Sequence, residues 1–199
     1  MKKHLLALLL LLAAAPAVRA QDWLESLKKV ATAAADKAAD GKLTQYAIVG
    51  TWEYARPGVR FESDDLTSEL GAAAVQGSVQ EKLVRAYELA GIRPGACTFA
   101  FGRDGRFTAT AGSRTLAGTY AFDAATHEIV LDIERKSGRT LSVPGHAYLS
   151  GSGLQLVFPV TKLVETIEAF GSKVPALQKA AALLERYRDV YLGFEFDRN

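Results

Sequence analysis

The spacing of apolar positions changes period as the chain runs. From Asp22 to Asp40 it is helical: Trp23, Leu27, Val30 and Ala34 share one stripe, Asp22 and Glu25 make a capping box, and Gly41 can end the helix. Its second half is mostly alanine, which favours helix formation and offers little apolar area for docking. A first strand is predicted at Ala47–Ala55, broken at Pro57-Gly58. Leu66 and Leu70 then fall on one helix face. A second capping box, Ser78 with Glu81, opens a stripe of Val79, Leu83, Ala86, Tyr87 and Ala90, which Gly91 and Pro94 stop.

From Ala96 the period drops to two. Cys97, Phe99 and Phe101 lead into Asp104-Gly105, which reads as a type I′ hairpin turn with positive φ at both residues. Phe107, Ala109 and Ala111 follow, then Leu116, Gly118, Tyr120 and Phe122, then Ile129, Leu131 and Ile133. Leu141 and Val143 run up to a bend or bulge at Pro144-Gly145, and Leu154, Leu156 and Phe158 end at Pro159. Turns this short allow only antiparallel neighbours, so the stretch is a meander. Two helices come next, striped by Leu163, Val164, Ile167 and Phe170 up to Gly171, and by Leu177, Ala181, Leu184 and Tyr187 after Pro175. A last strand spans Tyr191–Phe196. The count is about eight strands, which suits an up-and-down antiparallel barrel with helical insertions after the first strand and before the last. Closure would pair the last strand with the first and leave no free edge. A two-sheet sandwich is the alternative.

The N-terminus changes the charge picture. Met1-Lys2-Lys3-His4, the apolar run Leu5–Ala15 and Val18-Arg19-Ala20 read as a secretory signal peptide cleaved after Ala20. The run is shorter than the roughly 20 residues a membrane span needs. The domain plan is then residues 1–20 as leader, 21–41 as an amphipathic helix and 42–199 as the barrel, with no transmembrane helix in the mature chain. Removing Lys2, Lys3 and Arg19 takes the 24 basic residues to 21 against 22 acidic ones, so a net charge of +2 becomes −1. A near-neutral mature chain carries no electrostatic footprint for nucleic acid. Cys97 is the one cysteine, so no internal disulfide can form; its place in an apolar alternation predicts a buried, inert thiol.

Taken in order, Gly50-Thr51-Trp52-Glu53-Tyr54, Phe61-Glu62-Ser63, Gly91-Ile92-Arg93-Pro94-Gly95, Phe99 with Phe101, Asp104-Gly105, Gly118-Thr119-Tyr120 and Gly193-Phe194-Glu195 resemble a lipocalin-like domain family of unknown function found in secreted bacterial proteins, within the wider calycin group. The resemblance spans about Ile48 to Phe196. It implies a calycin barrel and brings no established ligand and no catalytic residues. In such barrels Gly50 and Trp52 would close one end, with Arg198 standing for the arginine that true lipocalins pack over that tryptophan. The Thr-Asp-Tyr motif of true lipocalins is absent.

Chemistry is sparse. His127 and His146 have no metal-ligand spacing and read as surface residues; no metal and no other cofactor is expected. No Gly-x-Ser-x-Gly elbow occurs, so no catalytic residue is assigned and the chain is read as non-enzymatic. Glu53, Glu62 and Glu195 fall near the barrel closure and are either polar groups inside it or outward-facing residues; Glu195 alternates with Phe194 and Phe196, so it faces solvent if those two are core. A candidate ligand-binding interior is formed by Phe99, Phe101, Phe107, Leu116, Tyr120, Ile129, Leu131, Leu156 and Phe158, with Ala109, Ala111 and Gly118 leaving room among them. The expected function is an exported binding protein, periplasmic or secreted, that holds a small apolar or amphipathic ligand in the barrel. The alternative is a protein-interaction or cell-envelope module, with an envelope protein as partner and a barrel filled by its own side chains.

Overall fold

The computed structural model describes residues 17–61, 79–81, 83–135, 137–169, 175 and 190–199. Helix α1 (Ala17–Ala38) and the short α2 (Lys42–Ala47) precede β1 (Gly50–Phe61). Helical residues 83–89 form α3. The meander is β2 (Cys97–Phe101), β3 (Arg106–Ala111), β4 (Arg114–Phe122), β5 (Glu128–Glu134), β6 (Thr140–Ser150) and β7 (Gly153–Pro159). Helix α4 (Val160–Ala169) and β8 (Val190–Arg198) complete the order. The eight strands close in sequence order, each antiparallel to the next, and β8 returns to β1. The barrel is therefore closed, and the sandwich alternative does not hold.

Several local expectations are corrected. Asp22 lies inside α1, which begins at Ala17, and not at the helix start. Ala47 ends α2, and the first strand starts at Gly50. Pro57-Gly58 does not break β1. Beyond Glu53 that strand pairs with β8 alone, and the Pro57 carbonyl accepts a bond from Gln80 Nε2 at 2.6 Å, away from β8. A strand residue points its N and its C=O to the same side, so the missing N–H of Pro57 costs the ladder nothing. Pro144-Gly145 likewise lies within β6, where pairing with β7 has not begun. At Asp104-Gly105 only Gly105 takes positive φ, 76°; Gly102 and Arg106 close a three-residue loop around it.

Inward residues of all eight strands form one apolar cluster with α3 and α4. Tyr87 of α3 is fully buried; its hydroxyl donates to the Gly193 carbonyl at 2.8 Å and its ring meets Tyr54 and Phe194. Tyr87 thereby ties α3 to β1 and β8. Cys97 is buried, and that burial pushes its thiol up to about 12, consistent with an inert group. At the other end Trp52 donates its indole N–H to the Ile48 carbonyl at 2.8 Å. The Arg198 guanidinium lies 5.2 Å from the Trp52 ring centre, in the place the resemblance implied. Glu62, the Leu66–Gly77 stretch, Ser78, Phe170-Gly171 and the stripe Leu177–Tyr187 lie outside the described residues.

Candidate functional site: a groove on the outer wall

The nine residues proposed for the interior all sit on the inner wall. Phe99, Phe101, Phe107, Ile129, Leu131, Leu156 and Phe158 are at most 2% exposed, while Leu116 and Tyr120 are partly buried against them. The rings pack on one another. Phe99 lies 5.1 Å from Phe196 and 5.6 Å from Phe194, and Phe101 lies 5.0 Å from Tyr120. Of the small residues expected to leave room, Gly118 is closely matched by its neighbours, and so is Gly145 of β6. A Cβ at Gly145 would meet the Phe158 ring at 2.4 Å, and one at Gly118 would meet Phe107 at 3.1 Å and the Asp132 carbonyl at 1.9 Å.

An open space lies outside the lumen. Between α1 and the strands β1, β6, β7 and β8 runs a groove of about 870 Å³. A change of phase in β1 helps to build it. Tyr54 pairs with Phe196 but Arg56 pairs with Glu195, so Ala55 is an extra, bulged residue. Before the bulge Trp52 and Tyr54 point inward; after it Val59 and Phe61 do, and Arg56 and Arg60 are delivered to the outer wall. Glu195 faces Arg56 there, with Nε to Oε2 at 2.7 Å, and receives Lys29 of α1 at 3.2 Å. Gln155 donates to its other oxygen at 3.4 Å. Glu195 is thus 7% exposed, and the expectation that it faces solvent is overturned. Its alternation with the phenylalanines was read correctly, but the outer wall at this point is covered by α1.

The second half of the groove centres on Asp36, which is 3% exposed. It accepts from the Thr44 amide at 3.0 Å, from the Thr44 hydroxyl, and lies 2.9 Å from His127 Nε2. Burial pushes the Asp36 carboxyl up, but the bonds from Thr44 and His127 together with the His127 charge outweigh it and hold it below the ordinary aspartate value. His127 is no surface residue: its side chain is 18% exposed and stacks on Tyr148 at 5.0 Å. The row continues through His146, half-buried 6.0 Å from Tyr148 and 5.2 Å from Tyr191, so the surface reading of His146 is corrected as well. Arg60 places its guanidinium carbon 3.7 Å from the Tyr148 ring centre, a cation–π contact.

The same contacts explain how α1 sits. The helix docks through Lys29 and Asp36, with Thr32 between them: its hydroxyl donates to the Lys28 carbonyl at 2.8 Å and lies 3.5 Å from the Gly151 carbonyl. Leu24, Leu27 and Val30 are 45–68% exposed. It is the polar stripe of the helix, and not the apolar one, that meets the barrel. The wall beneath offers Glu195, Gln155 and His127, and covering them with leucine would strand buried polar groups without partners. The spacing of Lys29, Thr32 and Asp36 (i, i+3, i+7) was visible in the sequence as a polar stripe, but nothing there marked it as the inward one.

Among the described residues no three His, Cys, Asp or Glu side chains converge as a metal cluster, and no helix is long and apolar enough to cross a membrane. Glu53 is half-buried and joins neither network. A family model described as a lipocalin-like domain (DUF4923) matches residues 24–198. No match to a curated protein was found. The crystal structure of a DUF4847 family protein from Bacteroides vulgatus ATCC 8482 aligns over 79% of this chain and 97% of its own, at 13% identity and a TM-score of 0.39.

Proposed function

This chain belongs to the lipocalin-like domain family DUF4923, and on that premise we propose that it works as an exported, non-catalytic interaction module of the cell envelope. The barrel is its scaffold, filled by its own side chains, and binding takes place on the outer surface. One observation carries this reading: the inner rings pack on one another, Phe99 against Phe194 and Phe196 and Phe101 against Tyr120, and at Gly118 even an added Cβ would meet Phe107 and the Asp132 carbonyl. The outer wall, by contrast, presents charged and aromatic groups in a groove of about 870 Å³, the setting in which small polar contacts give specificity. The competing reading, a small apolar or amphipathic ligand held in the lumen, draws on the apolar character of the same nine inner residues. It would require those rings to move apart.

Native mass spectrometry of the protein, exported with its own leader and purified without detergent, tests both parts. The expected species has the mass of residues 21–199 and takes up no apolar adduct after incubation with mixed lipids. A stoichiometric lipid or other neutral apolar adduct would overturn the filled-barrel reading. A mass that retains residues 1–20 would overturn cleavage after Ala20.

A further inference from the structure

A second cleft, of about 700 Å³, opens at the floor of the barrel, where the linker after α2, the hairpin Gly102–Gly105 and the end of β4 come together beside Arg198. Among the described residues its charged lining is Arg103 and Arg198, with Asp104 of the same hairpin close enough for its charge to act on Tyr120. Its apolar lining includes three rings, Tyr46, Tyr120 and Phe122. The hydroxyl of Tyr120 is spent on the Gly102 carbonyl at 2.8 Å, which leaves its ring as wall. Tyr46 is 77% exposed, a large flat surface turned to water at the rim. Arg198 is held in place by its stacking over Trp52 and by one bond, from Nη2 to the Val49 carbonyl at 3.2 Å. A guanidinium has five N–H donors in a planar fork, so a fixed arginine with one bond to the chain still presents donors to a ligand.

We infer that this floor cleft binds a small planar aromatic anion, a carboxylate or sulfonate. Its charged group pairs with Arg103 and Arg198 while its ring lies against Tyr46 and Phe122. Two guanidinium groups against one nearby carboxylate, that of Asp104, which is turned to the Arg106 amide at 3.1 Å, set the sign of the charge, and the rings set the flat apolar remainder. The volume falls within the range of small-molecule sites. The inference takes up the outer-surface reading given above and adds a ligand class to it.

Two dyes that share a ring system separate charge from shape: anilinonaphthalene sulfonate, and phenylnaphthylamine, which lacks the sulfonate. In fluorescence titrations of the mature protein the sulfonate is expected to saturate one site. Arg103→Gln should raise its Kd by about tenfold, the size of a lost charge-assisted bond, and leave phenylnaphthylamine unmoved. Tyr46→Ala should weaken both dyes. Arg103 and Tyr46 are both exposed, so neither change threatens the fold, and unaltered melting curves verify that. Equal sulfonate affinity in Arg103→Gln would overturn the proposal. So would its loss in Leu27→Ser, which would place the dye on the exposed face of α1. In the native mass experiment an adduct at this cleft is anionic and disappears with Arg103→Gln, whereas one held in the lumen persists. The two readings therefore fail separately.

Discussion

The two faces of β8 are both buried, and they are held by different physics. Inward, Phe194 has five ring neighbours within 6.4 Å (Tyr54, Tyr87, Phe99, Phe158 and Phe196). Outward, Glu195 has two cations and an amide. The first face is non-directional and depends on area and close packing. The second depends on geometry and on charge state, because a buried carboxylate is tolerated only while its partners stay. What the contrast teaches is that burial alone does not identify a core. The lumen carries the stability of the barrel, and the outer wall decides where α1 sits.

The contrast can be broken from either side. The largest effect is expected at Phe194→Ala, which empties the centre of the ring cluster. The loss should be about 3–5 kcal/mol of unfolding free energy, read by urea denaturation. A loss below about 1 kcal/mol would mean that the lumen is loosely packed. Next comes Glu195→Gln, with a cost of about 1–2 kcal/mol: the carboxylate is buried, but Lys29 and Arg56 are 33% and 52% exposed in their side chains and can turn to water. Its signature is local. Hydrogen exchange should rise in the backbone of α1 while the strands keep their protection. Uniform loss across the barrel would refute a docking role for this network.

The smallest effect, about 1 kcal/mol, is expected for Asp36→Asn, which keeps the shape and alters the hydrogen bonds. Here the pH dependence is the sharper readout. The folded-state value of Asp36 is lowered, so its contribution is complete above the ordinary aspartate range and is lost as pH falls through that lowered value. Wild-type and variant stabilities should therefore converge on acidification. Curves that stay parallel would show that the Asp36–His127 pair contributes no linkage.

What could be read in the sequence was whatever repeats locally. Alternation from Cys97 to Phe158 located six strands, and Gly50, Trp52 and Arg198 marked the closed end, because those signals lie within a few residues of each other or belong to a family pattern. Six-residue α2 was missed because it is too short to show a period. The groove was missed for a different reason. Glu195 finds Lys29 166 positions away and Arg56 139 positions away, and no local pattern carries such a pairing. His127 was misread on the same ground, since Asp36 lies 91 positions before it. The docking face of α1 was not legible because amphipathicity reports which side is apolar, and here the wall it meets is polar.

The bulge at Ala55 makes β1 a strand with two reading frames. Even-numbered side chains belong to the lumen up to Tyr54, and odd-numbered ones from Pro57 onward. Gain or loss of a single residue between them would act like a frameshift in a message. Each side chain would keep its identity and every address downstream would change, sending Arg56 and Arg60 toward the phenylalanines and Val59 toward the groove. Hydropathy averaged along the strand would register nothing, since the composition is the same in either frame. The most consequential residue of β1 is therefore an alanine with no partner of its own across the ladder.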